Sequence, residues 1–189
     1  MPSPQSLSDP DRRVVATWAA DCAERVLPFF EAEAPDDGRP RDAIARARAY
    51  GRGELAAAGE IRRRFEAGRA ANAVSSPAAI AAARAAAQAS GVAHMGAHAL
   101  GAAAYAARAA GLAVGARLAE AETAATRDEI DWQLDHLSAA AREALRRLPP
   151  VGEDSAGPLG SGLLASGALG ELVRELQQRL AEPDGGESR

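Results

Sequence analysis

Lysine is missing from this chain of 189 residues, and its 22 basic side chains are all arginines. With so much Ala, Gly and Pro, that pattern fits the codon bias of a GC-rich bacterial genome. An individual arginine is therefore weak support for bidentate recognition. Cysteine occurs once, at Cys22, which excludes an intramolecular disulfide and suits a reducing compartment. Aromatic residues make up only 4%, too few for a core built on large rings. Alanine has to supply the core instead, and alanine favours closely approaching helices.

Other absences exclude whole classes of function. A net charge of −4 gives no basic footprint for nucleic acid. No run is apolar enough to insert in a bilayer, so no membrane partner is expected. The segment MPSPQSLSDPDRR lacks an apolar stretch after a basic start, so no secretory leader and a cytoplasmic location are expected. Strand-like alternation and fixed-period repeats are also missing.

What is present reads as helix. Asp9 and Pro10 form a cap and first-turn pair. Val14, Val15, Trp18, Cys22, Val26 and Phe29 then recur at helical spacing to about Glu33, with Asp21 and Arg25 placed to pair at i,i+4. Ala34 to Pro40 is a turn, Pro40 opens a short helix to Tyr50, and Gly51 and Gly53 break it. A longer helix follows with Leu55, Ala58, Ile61, Phe65 and Gly68 inward and Arg62 to Arg64 outward. Ser76 caps an alanine-rich helix that starts at Pro77. The next stretch, Gly91 to Gly111, is apolar around its whole circumference and predicts a buried central helix. Leu112 to Ala124 continues in helix. Thr126-x-x-Glu129 has the capping-box form, opening a helix with Ile130, Leu134, Leu137, Ala141, Leu145 and Leu148 on one side.

The expectation is an all-α, single-domain helical bundle of about six to eight helices around a central Ala/Gly-rich helix. Residues 9–148 form the bundle, 149–167 a Gly/Pro/Ser-rich linker, and 168–182 an amphipathic helix. That last helix must dock on the body, on a second copy as a homo-oligomer contact, or on a partner.

Few residues point to chemistry. In the central helix His94, His98 and Tyr105 share a stripe, and His94-x-x-x-His98 has the spacing of a metal-chelating pair. The zinc-protease form needs Glu after the first histidine, where this chain has Met95. A metal site would need a third ligand from His136, Cys22 or Asp21, so buried structural histidines are the stronger reading and no cofactor is expected. Asp21, beside the apolar face of the first helix, is the expected acidic partner of a histidine. No nucleophile, oxyanion motif or second acid accompanies that pair, so an enzyme is not expected. Cys22 reads as a packed thiol. The run GPLGSGLLASGALG lacks the Lys-Ser/Thr of a phosphate-binding loop. Trp132 and His136 lie off the leucine side of their helix. Burial of the tryptophan is the favoured reading and a binding surface the other.

Several stretches in this order resemble the Imm-five-like family of bacterial immunity proteins. They are WAADCAERVLPFFE (Trp18 to Glu31), DDGRPRDAI (Asp36 to Ile44), RGE (Arg52 to Glu54), AHMGAHALGAAAYAARAA (Ala93 to Ala110) and EIDWQ (Glu129 to Gln133). The resemblance implies a small helical protein that binds and neutralises a cognate toxin made by the same or a sister cell. It carries over no catalytic residue. Recurring positions of the family match Asp21, Cys22, His94, His98 and Tyr105, without assigning them to binding or bracing. The alternatives are a metal- or small-ligand-binding bundle using His94 and His98, and an oligomeric helical scaffold.

Overall fold

The computed structural model describes residues 3–63, 66–115 and 119–182, the side chains of residues 61–63 excepted. Within them the chain forms α1 (Asp9–Glu31), α2 (Arg39–Gly51), α3 (Ala57–Arg63), α4 (Glu66–Ala70), α5 (Pro77–Gly91), α6 (His98–Val114), α7 (Ala119–Asp135), α8 (Ala139–Arg146) and α9 (Gly167–Ala181). No strand occurs among the described residues. The all-α reading holds. None of these helices is long and apolar enough to cross a membrane.

The cap of α1 is Ser8, whose Oγ accepts the Asp11 N–H at 3.3 Å. Asp9 moves inside the first turn, where its carboxylate meets Arg12 and Arg13 at 3.2 and 2.8 Å. At α5 the expected pair is found: Ser76 Oγ accepts the Ala79 N–H at 3.2 Å and Pro77 is the first helical residue. The helix expected around Ala58 and Phe65 is represented by α3 and α4, on either side of residues 64–65, which lie outside the described residues. The inward placement of Ile61 and Phe65 and the outward placement of Arg62 to Arg64 lie outside the described side chains.

The central helix is real but begins later than expected. α5 runs through Gly91, residues 92–97 turn, and α6 starts at His98. The turn persists because its amides bond elsewhere: Gly96 and Ala97 N–H donate to the Ser6 and Gln5 carbonyls at 3.1 and 3.0 Å. Donors satisfied in that way need no helical carbonyl. Ala99, Leu100, Ala102 to Ala104, Ala106, Ala107 and Ala109 of α6 are fully buried. α6 packs on α5, α7 and α1, and its small side chains allow the close axes that such packing needs.

Thr126 does not cap a helix. It lies inside α7 and its Oγ1 donates back to the Glu122 carbonyl at 2.9 Å. The actual break comes after Asp135, where Ser138 Oγ accepts the Ala141 N–H at 3.2 Å and opens α8.

The Gly/Pro/Ser-rich stretch beyond Pro149 packs on the body. Leu159 and Leu164 are buried, and the buried Gln5 accepts the Leu159 N–H at 2.9 Å and donates to the Asp154 carbonyl at 2.7 Å. α9 folds back over α6 and α8, burying Val173, Leu176 and Leu180. Arg146 of α8 donates to the Leu180 and Glu182 carbonyls at 2.6 and 2.8 Å, satisfying the end of α9. The apolar side of α9 is thus covered by its own chain.

Candidate partner-binding surface

The His–Tyr stripe dissolves once residues 92–97 leave the helix. His94 is exposed in that turn, and its ring centroid stands 6.5 Å from that of His98. His98 opens α6, and its Nδ1 lies 2.7 Å from Gln88 Oε1. An amide oxygen only accepts, so Nδ1 carries the proton. Two glycines hold the space for this pair. A Cβ on Gly91 would stand 2.9 Å from His98 Cγ, and one on Gly101 would stand 2.5 Å from Gln88 Oε1. His98 and Gln88 border a cleft of ≈ 520 Å³ that Arg69 and Asn72 also line. Tyr105 is nearly buried, with the Arg84 guanidinium 5.9 Å from its ring centroid.

Asp21 serves neither histidine. Arg48 of α2 bonds it at 2.6 Å through Nη2, and the same nitrogen bonds Glu24 at 2.6 Å. That double contact holds the Arg48 pKa above the ordinary guanidinium range, with Glu24 the larger cause, and lowers that of Glu24. Nor does Asp21 pair with Arg25 along α1, because Arg25 reaches across to α7. Among the described residues no three His, Cys, Asp or Glu side chains converge as a metal site. His136 and Cys22 do not complete one with His94 and His98.

The structure instead brings together residues around Trp132 that the sequence divided between two readings. Trp132 is half-buried on α7. One turn later, His136 stacks on its ring, with centroids 4.1 Å apart and planes 20° from parallel. The Arg25 guanidinium carbon lies 3.9 Å from the ring centroid. Two groups this close to one ring occupy its opposite faces, so the indole is clamped. His136 Nδ1 donates to the Trp132 carbonyl at 2.8 Å, which fixes the imidazole against its own helix.

A polar chain leads inward from this clamp. Arg25 Nε bonds both oxygens of Glu129, at 3.2 and 2.9 Å. Glu129 is only 5% exposed and accepts at 3.2 Å from the Gln133 amide, which also donates to the Ala103 carbonyl of α6 at 3.2 Å. Trp18 closes the other side by donating Nε1–H to the Gln133 carbonyl at 2.8 Å, a group in the last turn of α7 that needs a donor. Cys22 sits fully buried beside this chain. Burial first, then the Glu129 and Asp21 charges, push its thiol pKa well above the ordinary range, as for a packed core thiol.

Arg25, Glu129 and Gln133 escaped the sequence reading. Arg25 is placed by spacing with Asp21, Glu129 reads as the second half of a capping box, and Gln133 enters only within the EIDWQ stretch beside Trp132. Their i,i+4 spacing on one face of α7 was the available signal, but it does not reveal that this face meets Trp18.

Residues 5–140 match the model of a family described as Imm-5 like putative immunity protein. The chain belongs to this family. No match is found among curated proteins or among solved structures. The region matched in this immunity-family chain holds Arg25, Trp132 and His136 together with the polar chain behind them. It ends inside α8, before the Gly/Pro/Ser-rich stretch and α9.

Proposed function

We propose that the protein gives immunity by binding and neutralising a cognate protein toxin in the cytoplasm of the producing cell, without chemistry of its own. Family membership carries this reading. The geometry supports binding over catalysis. Cys22 is buried with a raised pKa, His98 Nδ1 is bonded to Gln88, and Asp21 is bonded to Arg48. The clamped Trp132, half-buried at the surface, suits contact with another protein.

Co-expression with the protein encoded by the adjacent reading frame tests the reading. A toxic neighbour should be rendered harmless, and the two proteins should purify as a complex. A toxic neighbour that still kills in the presence of well-folded, abundant protein would reject the proposal.

A further inference from the structure

We infer that the outward stripe of α7 formed by Asp128, Trp132, Asp135 and His136 is the toxin-contact face, and that it takes a basic surface bearing arginine or lysine side chains. The inference rests on the reading of the protein as a toxin-binding immunity protein and adds where it binds and to what chemistry.

The contrast between the two tryptophans comes first. Trp18 is 3% exposed and its N–H is bonded to the Gln133 carbonyl. Trp132 is half-buried, and its N–H donates to no group among the described residues. A tryptophan held for packing alone is treated like Trp18. Trp132 is nevertheless held in place by contacts within its own chain, with Arg25 at 3.9 Å and His136 at 4.1 Å from its ring centroid. An anchor already ordered in the free protein loses little rotamer freedom on binding.

Charge then selects the partner. Spacings of three, four and seven residues put Asp128, Trp132 and Asp135 on one face of a helix. Asp128 and Asp135 are exposed and form no ion pair among the described residues. The Arg25 charge beside the ring is matched by Glu129. Asp131, on the edge of the stripe, already meets Arg179 of α9 at 2.6 Å. Arg127, the cation of α7 itself, lines a cleft with Glu171 and Glu175 of α9 instead, and Arg142 of α8 donates to the Leu134 carbonyl at 3.4 Å. With Nδ1 bonded to the Trp132 carbonyl, His136 keeps Nε2 for a contact outside the chain. Exposed carboxylates on both sides of an aromatic anchor favour guanidinium and ammonium groups and repel an acidic partner.

The test measures binding of the purified adjacent-frame protein to the full chain and to three variants, each with its melting curve. Trp132→Ala should weaken binding by about 30-fold, the level of a hot-spot residue. Asp128→Arg with Asp135→Arg, which leaves the clamp intact, should slow association about tenfold at low salt, with the difference shrinking as salt is added. Asp36→Arg, in the turn between α1 and α2, should change neither. If the unaltered chain fails to bind, the immunity reading falls and this inference with it. If it binds and the α7 variants bind equally well, or the Asp36 control weakens binding as much as they do, the assigned face is wrong while the immunity reading stands.

Discussion

The Arg25 guanidinium ties the surface of the molecule to its interior. It covers one face of Trp132 at 3.9 Å while its Nε bonds both oxygens of the buried Glu129. Removing either member leaves the other without its counter-charge, and Glu129 has little water to turn to. Arg25→Ala should therefore destabilise the protein by about 2 kcal/mol, below the range for a fully buried pair because Arg25 is partly solvated. The double variant Arg25→Met with Glu129→Leu should lose less than the sum of the two single changes. Urea unfolding of all three measures this, and strict additivity would show that the pair is not coupled.

Helix ends give a second prediction. Ser138 caps α8, whereas Thr126 bonds back to a carbonyl inside α7. Ser138→Ala should cost about 1 kcal/mol, the usual loss for a serine cap. Thr126→Ala should stay within about 0.5 kcal/mol, since back-bonding inside a helix adds little. A larger loss at Thr126 than at Ser138 would put the helix start back at Thr126.

Gly91 faces the His98 ring so closely that a methyl group has no room there. Gly91→Ala should cost roughly 1–3 kcal/mol, as overpacking does. Much of that loss should disappear in the background of His98→Ala, which removes the ring. Thermal unfolding of the four proteins in this cycle supplies the measurement. An equal effect of Gly91→Ala with and without the imidazole would disprove the contact.

Arg48 predicts a dependence on pH. Its bond to Glu24 lowers the carboxyl pKa in the folded state. The stability this adds is complete above the ordinary glutamate value of about 4.3 and is lost as pH falls through the lower folded value. Arg48→Gln should therefore be less stable than the unaltered protein at pH 7, with the gap closing as the solution is acidified below about pH 4. Glu24 is 48% exposed, so its share of the gap should be under about 1 kcal/mol. A gap that is constant from pH 7 to pH 3 would remove Glu24 from the account.

Much of the architecture could be read from residue patterns, because alanine content and apolar spacing specify helices almost alone. The Ser76–Pro77 start of α5 follows from local chemistry and is found, as is the turn after Ala34, which gives way to α2 at Arg39. The errors arise where distant groups decide. The turn at 92–97 depends on the Gln5 and Ser6 carbonyls, some 90 residues earlier in the chain, and so the His94–His98–Tyr105 stripe came apart. The place of Asp21 beside the apolar face of the first helix suggests a histidine partner, but α2 lies on that side of α1 and brings Arg48 instead. The position of Trp132 off the leucine side of its helix fits either burial or a binding surface, and the residue is half-buried. Its clamp could not be read, since Arg25 arrives from another helix.

The central claim is neutralisation by stoichiometric binding, and titration of toxin activity tests it most directly. A fixed amount of the adjacent-frame toxin is mixed with increasing amounts of the protein, and residual toxin activity is measured after equilibration. Binding without chemistry predicts a straight decline that reaches zero at a fixed molar ratio and does not change on longer incubation. Complete loss of activity at far below stoichiometric protein, deepening with time, would contradict the account and make the protein an enzyme acting on its toxin.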